Sequence, residues 1–210
     1  MEPVFLSYFY EESTPVYGGL KDTISFKPSS SIMNGNTANS ITINLPNHCG
    51  THIDFPRHFN DEGKTCSDYP PGFWSFDKVG FLTCEIEVVP DRIASLPADI
   101  ELLILKTGFG SKRNEDTYWS SQPVIPASFA SLFRKAFPRL RVFGFDLISL
   151  TSKLDRAEGK KAHLAFLIEN DILILEDMNL NHLTVSPQKV IISPLLIKGA
   201  DGSPCTVIAY

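Results

Sequence analysis

The sequence predicts a mixed α/β fold, rich in strands and light in helix, with a twisted sheet. Two patterns carry that expectation. Short β-branched or aliphatic runs recur along the chain, punctuated by Gly, Pro, Asn and Asp. Only Pro126–Phe137 and Ala162–Ile168 read as helix. At 210 residues, with 43% hydrophobic and 20% charged side chains, the chain can bury a sizeable core. It is expected to form one domain over residues 1–210, with no internal repeat, low-complexity tract or linker.

The elements follow in order. Residues 4–9 and 24–28 are read as short strands flanking the turn-rich Ser13-Thr-Pro-Val-Tyr-Gly-Gly19. Ser40–Leu45 alternates polar and apolar residues, the period of a half-buried strand. Residues 60–77 contain Asp61-Glu-Gly63 and Pro70-Pro-Gly72 and are expected to loop. Phe81–Val89 and Ile100–Lys106 are strands by composition. In Pro126–Phe137 the apolar residues Phe129, Leu132, Phe133 and Ala136 share one helical face, and Pro126 suits a first turn. Arg141–Phe145 returns to strand, Ala162–Ile168 to helix. Ile172–Leu175, Val190–Ile192 with Leu195–Ile197, and Thr206–Tyr210 are the closing strands.

Charge and composition exclude several functions. A net charge of −5 offers no basic field for nucleic acid. No apolar stretch reaches membrane-spanning length, so no membrane partner is expected. The opening Met1-Glu2-Pro3, with Glu11 and Glu12 soon after, lacks the basic start and apolar run of a secretion signal. The four cysteines form no Cys-x-x-Cys pair and read as reduced thiols. A cytoplasmic location is the expectation.

The most informative stretch is His48-Cys-Gly-Thr-His52-Ile-Asp54-Phe-Pro-Arg-His58. It holds three of the five histidines, with an aspartate, at offsets of 0, 4, 6 and 10. Imidazole and carboxylate at that density bind transition metals and move protons near neutral pH. His48 and His52 could share a helix face. Asp54 and His58 leave it, because six and ten residues rotate by about 240° and 280°. Gly50 and Pro56 also disfavour a helix. A strand running into an irregular loop is expected, able to converge several side chains on one point. Cys49 between two histidines could be a nucleophile, but a plain buried thiol is the favoured reading.

The motif His48-x-Gly50-Thr51-His52-x-Asp54-x-Pro56-x-His58-Phe59 resembles the signature of the cyclase-like metal hydrolases. That family includes bacterial kynurenine formamidase and isatin hydrolase. Further segments resemble it in order: Thr14-Pro-Val-Tyr17, Leu105-Lys-Thr-Gly108, Phe143-Gly-Phe-Asp146 with Ser149, Ile174-Leu-Glu176-Asp-Met-Asn-Leu180, and Gly199-Ala-Asp-Gly-Ser-Pro204. The resemblance implies a swivelling β/β/α-type fold assembled as homodimers or higher homo-oligomers. It implies that His48, His52 and Asp54 bind a divalent metal, with His163 and Glu176 completing the shell. His58 would be the proton donor and acceptor, and Tyr17 would touch substrate. Zinc is the implied metal, one or two per chain, with manganese the alternative. The implied reaction is hydrolysis of a small-molecule amide, N-formylkynurenine first. The alternatives are an isatin-like cyclic amide, a cyclase or lyase reaction, or an inactive metal-binding scaffold. The chain departs from the family pattern at Tyr17, where tryptophan is frequent, at Gly18 in place of proline, and at Lys106 in place of arginine.

Weighed residue by residue, His182 reads as a surface histidine and Asp177 as solvated. Asp201-Gly-Ser reads as a turn rather than a phosphate loop. Phe73-Trp74 divides evenly between core packing and a pocket wall or subunit interface.

Overall fold

A computed structural model of the chain describes residues 2–210. Among these residues eleven strands form: β1 Val4–Phe5, β2 Ser25–Ser30, β3 Ser40–Asn44, β4 His52–Asp54, β5 Ser75–Phe76, β6 Val79–Thr83, β7 Leu102–Lys106, β8 Val142–Phe145, β9 Leu173–Glu176, β10 Val190–Pro194 and β11 Gly202–Ala209. The α-helices are α1 Val89–Arg92, α2 Thr117–Ser120, α3 Ser128–Ala136 and α4 Arg156–His163. The mixed, strand-rich α/β class is thus the one the sequence predicts.

Nine strands make one sheet in the order β5-β10-β11-β4-β9-β8-β7-β6, with β1 on β11. Strands β6 to β9 run parallel, and β4 joins antiparallel to β9 on one side and β11 on the other. Strands β7 and β8 are buried along almost their whole length. Their continuous apolar runs, Leu102–Leu105 and Val142–Phe145, are what a parallel strand covered on both faces requires. Helix α3 lays Phe129 and Phe133 against the sheet, where Phe133 meets Phe143 edge-on at 5.0 Å between centroids. Phe166 stacks on Phe143 at 5.4 Å. Strands β2 and β3 pair only with each other, as an exposed hairpin.

Several boundaries differ from the sequence expectation. The strand expected over Phe81–Val89 stops at Thr83, and α1 starts at Val89 with Pro90 in its first turn, where a fixed φ is pre-set for helix. Only Val4–Phe5 of residues 4–9 pairs as strand. Leu195–Ile197 leaves the sheet after Pro194. The helix expected over Ala162–Ile168 begins earlier, at Arg156, where Asp155 caps it by accepting from the Glu158 N–H at 2.9 Å. From Leu164 to Glu169 it widens into a π-turn, a distortion frequent near functional sites.

Asp177 is not solvated. It is fully buried at φ +49°, paired with the Arg113 guanidinium at 2.8 Å and accepting from the Tyr118 hydroxyl at 2.6 Å. The left-handed backbone turn breaks the strand alternation that was expected to expose it. Trp74 is also core: it is buried against Phe55, Tyr69 and Phe73 rather than lining a pocket. Among the described residues no helix is long and apolar enough to cross a membrane.

Candidate metal centre

His52 and Asp54 lie two apart on β4, so both side chains leave the same face of the sheet while Ile53 enters the core behind it. Glu176, the last residue of β9, is the register partner of His52 and shares that face. His52 Nε2 therefore lies 3.4 Å from Asp54 Oδ1 and 3.4 Å from Glu176 Oε2. Helix α4 ends on His163, whose Nε2 stands 3.5 Å from Asp54 Oδ2 and 3.7 Å from Glu176 Oε1. His48, on the loop before β4, brings Nδ1 to 2.8 Å from Asp54 Oδ1. His52, Asp54, His163 and Glu176 are all buried.

Local backbone choices aim these groups. Gly50 has φ +57°, and a Cβ there would strike the Tyr10 ring at 2.5 Å. That turn presents the Gly50 carbonyl to His52 Nδ1, which donates to it at 2.8 Å. In α4, His163 Nδ1 donates to the Gly159 carbonyl at 2.9 Å. With both Nδ1 protons committed to carbonyls, each Nε2 is the nitrogen left to face the carboxylates, through a proton or a shared cation. Gly159 lets α4 approach Thr151, since a Cβ would lie 2.7 Å from the Thr151 Cα. Gly159→Ala is accordingly expected to push α4 and His163 outward. The cost is about 1–3 kcal/mol, typical of overpacking. A lowered unfolding midpoint together with weakened metal binding checks it.

Glu176 is further fixed by the Leu150 N–H at 2.5 Å and the Ser149 hydroxyl at 3.3 Å. Asp146, in the same stretch, braces a loop instead, accepting from the Thr107 and Gly108 backbone N–H groups at 2.8 and 2.9 Å. Lys106 donates to the carbonyls of Asn181 and Leu183 at 3.0 and 2.9 Å.

The electrostatics require positive charge. Burial favours neutral imidazole, yet Glu176 and Asp54 overcome it and raise His52 to about 9. Burial is likewise outweighed at His163, where Asp54 and Glu176 raise the pKa to about 10. Asp54, despite burial, is held well below the usual carboxylate range by His163 and His48. Two buried carboxylates facing imidazole nitrogens at 3.4–3.7 Å are stable only with protons or a cation among them. A divalent ion fits. Bonds of about 2.0–2.2 Å in tetrahedral geometry put neighbouring donor atoms about 3.4 Å apart. The Nδ1–carbonyl contacts are the outer hydrogen bonds that metal-binding histidines need to fix their tautomer. Two potential ligand sets share Asp54: His52 with Glu176, and His48 with His58, each set within 4.8 Å.

All five sequence-designated metal residues thus converge, and His58 joins them. Its ring stacks on His48 at 3.9 Å between centroids, and its Nδ1 lies 3.0 Å from Asp201 Oδ2. Tyr17 is half-buried with its hydroxyl unpartnered, beside Val16, which packs in a small cluster with Ile24 and Cys49. His182 is exposed, as expected. Cys49 is a buried thiol whose pKa burial raises to about 12, and its Sγ lies 2.9 Å from the Pro46 carbonyl. Cys49→Ala is expected to leave turnover and metal content near wild type, which a rate assay with elemental analysis checks.

Sequence reasoning missed Asp201. It reads as a turn residue in Gly199-Ala-Asp-Gly, and it reaches His48 and His58 because β11 pairs Gly202 with Asp54 on β4. Only the pairing of strands about 150 residues apart in sequence brings the two loops together. The available signal was the placement of Asp201 within a segment already matched to the family.

A family profile described as putative cyclase matches residues 4–151. The match includes His48 to His58 and stops short of His163, Glu176 and Asp201. A kynurenine formamidase from Bacillus mycoides is 28% identical over 199 residues, covering 88% of this chain and 86% of that protein. Among solved structures, isatin hydrolase A from Labrenzia aggregata superposes with a TM-score of 0.81 at 19% identity, over 99% of this chain and 93% of that one. A protein described as a potential metal-dependent hydrolase with cyclase activity superposes at 0.74 with 21% identity, over 99% and 96%. The two structural likenesses establish the fold.

Proposed function

This chain belongs to the putative cyclase family, and on that premise we propose that it is a metal-dependent hydrolase of a small-molecule amide carbon–nitrogen bond. The observation that carries the proposal is the buried meeting of His48, His52 and His163 with Asp54 and Glu176. The kynurenine formamidase relative makes N-formylkynurenine the first substrate to try. Three imidazoles with two carboxylates suit zinc, and manganese is the alternative.

A divalent ion held by these residues would supply Lewis acidity toward a carbonyl and would lower the pKa of water from 15.7 to about 7. The chain's residues supply the rest. His58 lies at the open side of the cluster, its side chain 30% exposed where those of His52 and Glu176 are 4% and 3%. There it can meet substrate without leaving the site. Its Nδ1 faces Asp201, so Nε2 is the nitrogen left to take up and return a proton. An amide nitrogen departs only when protonated, and a non-ligating histidine at the rim delivers that proton. Phe59 stacks on His163 at 4.4 Å and lies edge-on to His58 at 4.7 Å, packing against both rings. Tyr17 is the proposed substrate contact, supported by the resemblance of Thr14-Pro-Val-Tyr17 to the family segment. Tyr17→Ala then raises KM more than it lowers kcat, because binding rather than chemistry is lost.

The test is a panel of N-formylkynurenine, isatin, a dipeptide and an aryl phosphate, each with zinc and with manganese. Hydrolysis of N-formylkynurenine or isatin supports the proposal. Activity confined to the dipeptide or the phosphate overturns the substrate class, and silence on all four with metal bound favours the inactive scaffold. The same reading includes a homodimer or higher homo-oligomer. Phe5, Phe9 and Leu195 are exposed along a groove of about 830 Å³, an apolar surface of the kind a partner covers.

A further inference from the structure

We propose that Asp201 is a positioning residue that sets the tautomers of His58 and His48 together. The proposal rests on the reading of His58 as proton carrier and His48 as metal ligand. Asp201 Oδ2 lies 3.0 Å from His58 Nδ1 and 3.0 Å from His48 Nε2. Its Oδ1 accepts from the Asn47 amide at 2.8 Å. An ionised carboxylate only accepts hydrogen bonds, so both ring nitrogens facing it carry protons. The Asp201 side chain is 39% exposed, and access to water favours the ionised carboxylate.

Two consequences follow. On His58 the proton sits at Nδ1, and Nε2 is the basic atom. On His48 the proton facing Asp201 sits at Nε2, so Nδ1, 2.8 Å from Asp54 Oδ1, is the nitrogen that exchanges its proton for a cation. One carboxylate therefore orients a ligand and the acid–base group at once, and the stacked rings, 27° apart, are held by a shared acceptor.

The carboxylate is itself held in place. The Phe55 N–H donates to the Asp201 carbonyl at 2.9 Å, and the Cys66 N–H donates to the Ala200 carbonyl at 3.0 Å. Gly202 completes the arrangement. A Cβ there would lie 2.1 Å from His48 Cε1, so only glycine leaves the imidazole its place. Asn47 also donates to the Gly202 carbonyl at 3.2 Å, tying the His48 loop to the Asp201 turn.

The test compares wild type with Asp201→Ala and Asp201→Glu in the full chain, zinc-loaded and metal-free. Imidazole ¹⁵N NMR, assigned with His58→Ala, reads the tautomers directly. Wild type is expected to show His58 protonated at Nδ1, and Asp201→Ala to move that proton to Nε2. Turnover on the best substrate of the panel falls roughly 10- to 100-fold in Asp201→Ala, the usual cost of losing such an outer partner. KM changes little. Asp201→Glu, which keeps an acceptor on a longer arm, restores part of the turnover and of the Nδ1 proton; a purely structural role would show no such joint rescue. A His58 tautomer unchanged in Asp201→Ala overturns the proposal, as does unchanged turnover. If wild type hydrolyses nothing, the functional reading fails, and the tautomers of the metal-free protein still decide the role of Asp201.

Discussion

His52→Ala is expected to abolish metal binding and activity together. His52 faces both carboxylates of the centre, at 3.4 Å from Asp54 and 3.4 Å from Glu176, and its other nitrogen is committed to the Gly50 carbonyl. Alanine offers no donor atom, and no neighbour can reach in, because the site is buried behind Ile53 and the β9 strand. The loss exceeds the 10- to 100-fold typical of an outer-shell partner, since a ligand is removed. In metal-free protein the same change leaves two buried carboxylates with one less counter-charge, a situation that costs about 3–5 kcal/mol when a buried pair is broken. Elemental analysis, a rate assay and thermal unfolding check the three parts. Wild-type metal content in the variant would show that His52 is no ligand.

His58→Ala separates proton transfer from metal binding. Turnover is expected to fall about 10²- to 10⁴-fold, the usual worth of general acid–base catalysis. Metal content stays near wild type, because His52, His163, Asp54 and Glu176 form their contacts without His58. His58 does lie within reach of a ligand set with His48 and Asp54, so the outcome is informative either way. Loss of one ion per chain would make His58 a ligand.

The candidate site was legible in the sequence to an unusual extent, and for a local reason. His48, His52, Asp54 and His58 are packed into eleven residues, so their proximity needs little tertiary knowledge. The expected irregular loop was partly wrong: His52–Asp54 is a strand in mid-sheet, and strand alternation rather than loop freedom aligns the two side chains. His163 and Glu176 were reached only through the resemblance. Their meeting depends on the β4–β9 register and on α4 reaching the sheet, neither of which a sequence pattern specifies. Asp177 was misread because a left-handed residue ends the strand and reverses the expected face. Trp74 was undecided because a loop aromatic carries no periodicity to assign it. Asp201 was missed because its two contacts to His48 and His58 reach residues more than 140 positions away.

The most direct test of the central claim is elemental analysis of the full chain purified without chelator and then equilibrated with zinc or manganese. At least one divalent ion per chain is expected, lost in His52→Ala and in Glu176→Gln. Wild-type protein that carries no divalent metal, and takes none up from either solution, would contradict the metal centre and the hydrolase built on it.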